Sequence, residues 1–191
     1  MKRMCLLLGG LAALVWCYPA ALLPAADTKD DQGTVVDLGS LKSRTPATWK
    51  AEEPSNRMRF AQFRLPKVKD DKYDAEVVIF QDIGGSAKDN IERWKTQFIP
   101  PEGKKIDDVA KVMDVSVGDG KVTVLDITGT YKYKERPFDP NAKEERRPEY
   151  HMVGVIFGAP NNKDYQIRFV GPVATVEHYK PGFDEWLKNF K

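Results

Sequence analysis

Gly84-Gly85-Ser86-Ala87-Lys88-Asp89-Asn90-Ile91-Glu92-Arg93-Trp94-Lys95-Thr96-Gln97-Phe98 follows directly on the run Ala75-Glu76-Val77-Val78-Ile79-Phe80. The earlier run is almost wholly apolar and β-branched, which suits a strand covered on both faces. Across Asp82 to Gly85 the period changes. Ala87, Ile91, Trp94 and Phe98 are spaced by four, three and four residues, so they share one helical face. Ser86 with Asp89 is a weak form of the capping box, and Pro100-Pro101 closes the element.

Working outward, Arg57 to Leu65 has strand composition and Pro66 ends it. Lys67 to Asp74 reads as a charged turn. Downstream, Lys111 to Val117 and Lys121 to Tyr133 flank Gly118-Asp119-Gly120, a hairpin signal because glycine accepts the positive φ of tight turns. Met152 to Phe157 and Tyr165 to Val170 flank the turn formers Pro160 to Asp164 in the same way. After Gly171-Pro172, Val173, Val176, Tyr179, Phe183, Trp186, Leu187 and Phe190 return to helical spacing, with a break expected at Pro181-Gly182. The tally is about six strands, a helix between the second and third, and a broken terminal helix. The class is α+β, in one domain over residues 45–191 that opens at Thr45-Pro46-Ala47-Thr48-Trp49. Residues 27–44 offer only Val35, Val36, Leu38 and Leu41 for packing, and read as a flexible or loosely docked lead-in.

Met1-Lys2-Arg3, an apolar run from Met4 to Trp16 and a small-residue end at Ala25-Ala26 form the pattern of a secretory signal over residues 1–26. The run is too short for a spanning helix, which needs roughly 20 apolar residues. Lipid attachment at Cys17 would need a small residue before it, and Trp16 stands there. The expected location is periplasmic or extracellular, with no stable membrane span after cleavage. Both cysteines, Cys5 and Cys17, fall in the signal. Disulfides, thiolate catalysis and cysteine-ligated zinc are thereby excluded for the mature chain. Cleavage also removes Lys2 and Arg3 and no acid, so 30 basic residues become 28, equal to the 28 acids. A balanced surface exerts no long-range pull on nucleic acid or anionic lipid, so neither partner is expected.

Trp49, Gly84-Gly85-Ser86 leading into Asn90-Ile91-Glu92-Arg93-Trp94, Val124-Leu125-Asp126-Ile127-Thr128-Gly129-Thr130-Tyr131 and Arg168-Phe169-Val170-Gly171-Pro172 occur in an order that resembles a group of uncharacterised exported bacterial proteins with a PsbP-like fold. The resemblance covers roughly residues 45–191, and its motifs are structural. It implies an antiparallel sheet of about six strands between helical layers, an α/β/α sandwich. PsbP proteins are extrinsic subunits of the photosynthetic oxygen-evolving complex and other members of the fold are binding proteins, but no metal or partner site can be matched residue by residue.

Four features could carry chemistry. Gly84-Gly85-Ser86 at a helix start could cradle an anion, but no Gly-Lys-Ser/Thr follows, and a serine-capped tight turn explains it better. His151 and His178 are the only histidines, and they lack the spacing of a metal site or the context of a Gly-x-Ser-x-Gly elbow. Asp126 interrupts an apolar strand on the face of Val122 and Val124; it is a site acid with a shifted pKa, a buried hydrogen-bonded structural acid, or an acid near a sheet edge. The loop from Lys134 to Glu149 carries five basic and five acidic residues and is long for a compact domain. With its flanking tyrosines it supplies the candidate binding residues Tyr131, Tyr133, Arg136, Arg146, Arg147 and Tyr150.

These readings describe an exported, monomeric, non-catalytic domain that binds a protein partner or small ligand. No catalytic residue, metal site or cofactor is assigned. The alternative is an extracytoplasmic hydrolase using scattered acidic residues and a histidine, which a pocket uniting Asp126 with either histidine would favour.

Overall fold

Ser86 starts the first helix as its sequence requires. In a computed structural model that describes residues 32–191 except 40, 69, 119, 136–138, 140 and 159–163, α1 runs Ala87–Lys95. The signal segment and Arg136 lie outside the described residues. Ser86 Oγ accepts from the Asp89 N–H at 3.1 Å and the Asp89 carboxylate accepts from the Ser86 N–H at 3.4 Å, so both halves of the capping box form. The helix is shorter than its apolar face suggested. It stops at Thr96, and Phe98 enters the core from a two-residue strand, β6 (Phe98–Ile99), instead.

The strands before α1 are β3 (Lys50–Glu52), β4 (Arg59–Leu65) and β5 (Ala75–Gln81). After β6, a single turn α2 (Ile106–Val109) leads to β7 (Ala110–Val117), β8 (Gly120–Lys134), β9 (Glu144–Gly158) and β10 (Asp164–Pro172). These form one eight-stranded sheet in the order β3-β4-β5-β10-β9-β8, and β7 and β6 pair with successive parts of the far edge of β8. Every pairing is antiparallel. The class is therefore α+β as expected, with a larger sheet. The additional strands β3 and β6 are too short for any hydrophobic period to reveal.

Neighbouring residues on β8 serve opposite layers. Val122 and Val124 pack with Val153, Val155 and Phe183, whereas Leu125 and Ile127 pack with Trp94, Phe98 and Met152. The sheet is thus buried on both faces. α1 covers one, and α3 (Val173–Lys188) covers the other. The break expected at Pro181 does not occur. The proline removes one backbone bond, but α3 continues because Phe183 and Trp186 are fixed in an aromatic stack with Trp49 and Phe190, at centroid distances of 5.1 to 6.2 Å.

The described residues from 32 to 44 pack on this core, more firmly than the flexible or loosely docked lead-in expected over 27–44. β1 (Val35–Asp37) and β2 (Lys42–Arg44) pair as a ribbon. Val36 and Leu38 are buried, and Lys42 exchanges backbone bonds with Lys191 at 2.9 and 3.2 Å. Ser43 Oγ donates to the Trp186 carbonyl at 2.7 Å, which ties the ribbon to the end of α3.

Candidate functional site

The β8–β9 pairing contains the irregularity that builds the site. Gly129 faces Tyr150 and Tyr131 faces Arg147, so β9 holds one residue more than β8 in the same interval. Glu149 takes up the excess at φ 54°, a left-handed conformation costly for a residue with a Cβ. Side chains alternate along a strand, so the extra residue reverses the parity of everything before it. Arg147 and Glu145 thereby join Tyr150 on the α1 side of the sheet.

There Arg147 lies between aromatic faces. Its guanidinium carbon is 3.5 Å from the Tyr133 ring centre, 4.0 Å from that of Tyr73 and 6.0 Å from that of Tyr150. The Glu145 carboxylate accepts from Arg147 at 2.9 Å and from the Tyr73 hydroxyl at 2.6 Å. Tyr131 stacks on Tyr150 at 5.7 Å, and its hydroxyl accepts from Arg168 at 3.0 Å. Burial pushes the Tyr150 hydroxyl up to about 12, more than Arg147 draws it down. Arg147 first, then Tyr73, holds the Glu145 carboxyl below its ordinary value.

Tyr131, Tyr133, Arg147 and Tyr150 thus converge as a patch. Arg146 does not join them: one residue out of phase, it is exposed on the other side of β9. The loop expected over 134–149 is shorter, since Glu144 to Glu149 already lie in β9. Tyr73 is a contributor that the sequence reading missed. Its only signal was an aromatic residue inside an otherwise charged turn.

On the opposite face Asp126 and His151 meet across β8 and β9, with His151 Nε2 2.9 Å from Asp126 Oδ1. Burial raises the Asp126 carboxyl, but the His151 hydrogen bond and the charges of His151, Lys180 and Lys111 outweigh it and hold the group below its ordinary value. His151 Nδ1 is buried and has no partner among the described residues. His178 is exposed on α3, edge-on to Tyr179. Among the described residues no group of three His, Cys, Asp or Glu could hold a metal ion.

The Gly84-Gly85-Ser86 turn is closed by the protein itself. Both glycines have positive φ, 74° and 82°, and Asn90 Nδ2 donates at 3.0 Å to the carbonyls of Gly84 and Ser86. Two hollows open on the α3 side. One of about 530 Å³ is bordered by Thr128, Thr130, Glu149 and the first turn of α3, and another of about 190 Å³ by Asp126 and the second half of α3. His151 borders neither hollow.

No protein-family model and no curated protein matches the chain. In structure it is similar to PsbP. The solution structure of cyanobacterial PsbP (CyanoP) from Synechocystis sp. PCC 6803 matches with 13% identity and a TM-score of 0.45, over 89% of this chain and 98% of that one. The PsbP-like likeness read from the sequence is found again at this level. It carries no ligand or partner across. Among the described residues, no helix is long and apolar enough to cross a membrane.

Proposed function

We propose that the protein is an exported binding domain that recognises a protein partner through the tyrosine–arginine patch of β8 and β9. The supporting observation is Arg147 held between Tyr73 and Tyr133. Tyrosine and arginine are the residues enriched at interface anchors, and rigid aromatic side chains lose little entropy on binding. Tyr131, Tyr133, Arg147 and Tyr150 stand on paired strands, which present them in fixed geometry. Affinity capture from the native envelope tests this reading. The wild-type domain should retrieve a partner that the Tyr133→Ala/Arg147→Ala variant fails to retrieve; equal retrieval by both would reject it.

Export is part of the same proposal and rests on the tripartite pattern of residues 1–26. Cleavage is expected between about Ala21 and Thr28. Intact-mass measurement of the exported protein would refute it if Met1 were retained.

The hydrolase reading draws on the Asp126–His151 pair, an acid orienting an imidazole. Against it, among the described residues no hydroxyl bonds to either nitrogen of His151, and His151 lines neither hollow.

A further inference from the structure

The smaller hollow, about 190 Å³, lies between the second half of α3 and strands β7, β8 and β9. Val115, Val124, Val153, Phe183 and Leu187 give it an apolar wall. Asp126, Asp184, Lys180 and Lys188 also line the hollow, and of the two carboxylates Asp126 is the one on the sheet wall. The Asp126 side chain is 24% exposed; His151 occupies Oδ1 at 2.9 Å, and Oδ2 has no hydrogen-bond partner among the described residues.

The neighbouring charges do not fill that place. Lys180 gives its ammonium group to both oxygens of Asp184, at 3.1 and 2.8 Å. Lys111, opposite Asp126 on β7, and Lys188 on α3 are solvent-exposed, where water and salt screen them. A carboxylate in apolar surroundings gains most from a charged donor brought to its free oxygen. A wholly apolar cavity of about 150 Å³ takes up benzene, so this one has room for a ring with a short substituent.

We propose that the hollow between α3 and β7 is a binding site for a small organic amine. The ammonium group donates to Asp126 Oδ2, and the hydrocarbon body packs against Met113, Val115 and Val124. This site lies on the opposite side of the sheet from the tyrosine–arginine patch and does not depend on it.

Benzylamine, titrated at neutral pH into methyl-labelled protein and followed by NMR, tests the proposal. The methyl signals of Val115, Val124 and Val153 should shift saturably. Benzyl alcohol, of the same shape without the charge, should bind roughly tenfold more weakly or worse. Asp126→Asn should weaken benzylamine by a similar factor, and Val115→Phe, which fills the hollow, should abolish its binding. If Asp126→Asn fails to fold, the comparison of amine with alcohol on the wild-type protein decides alone. Unmoved methyl signals at millimolar benzylamine, equal binding of the alcohol, or undiminished binding by a folded Val115→Phe variant would each overturn the proposal.

Discussion

The indole of Trp94 lies against the backbone of Gly154, so closely that a Cβ on the glycine would come within 2.5 Å of the ring. One residue on α1 and one on the central strand β9 thereby fix the distance between helix and sheet. Trp94 is 1% exposed, and Leu125, Ile127 and Met152 complete its pocket. Trp94→Ala should destabilise by about 3–5 kcal/mol. Gly154→Ala should cost about 1–3 kcal/mol through overpacking. Together they should cost less than the sum, because the added methyl enters space the indole vacated. Urea unfolding measures all three, and a Gly154→Ala change within about 0.5 kcal/mol would show that the helix moves aside freely.

The helix carrying Trp94 was legible because its start is chemical and its face periodic: Ser86, Asp89, Ile91 and Trp94 each contribute a separate signal. Strands β4, β5, β8 and β10 were legible from runs of apolar and β-branched residues between turn formers. Gly154 was not, since a glycine in a strand gives no hint of what lies over it. Pro181 misled, because local chemistry argued for a break that burial of Phe183 and Trp186 prevents. The site was half legible. Composition drew attention to the tyrosines and Arg147, but their meeting depends on the extra residue at Glu149, which lay in a stretch read as loop.

Glu149 gives the second prediction. Its φ of 54° is left-handed, where glycine is comfortable and β-branched residues are strained. Glu149→Gly should leave the domain as stable or raise stability by up to about 1 kcal/mol. Glu149→Val should lower it by about 1–2 kcal/mol. Thermal unfolding of the two variants compares them directly, and equal tolerance of valine would mean that the bulge is not fixed at this residue.

The third concerns acid. Asp126 titrates below its ordinary value of 3.8 in the folded protein, so it binds fewer protons there than in the unfolded chain. Its contribution to stability is complete above the unfolded value and disappears as pH falls through the lower, folded one. Asp126→Asn should therefore be less stable than wild type near neutrality, with the gap narrowing as pH falls below about 4. A gap that stays constant down to pH of about 2 would mean that His151 does not stabilise the charged form.

Arg147 and Tyr133 should be coupled. With the guanidinium 3.5 Å from the ring centre, a double-mutant cycle using Arg147→Ala and Tyr133→Ala should give about 0.5–2 kcal/mol of interaction energy. Additive losses would show that the two side chains pack independently.

Recognition through the tyrosine–arginine patch is tested most directly by photo-crosslinking in the native envelope. Lys72 stands at the rim, its ammonium 4.9 Å from the Tyr73 ring centre, while His178 is exposed on α3 across the sheet. A photoreactive residue placed at position 72 should give a discrete adduct with one protein, which disappears when Arg147→Ala is added. The same residue at position 178 should give none. An adduct from position 178 with none from position 72 would contradict the account.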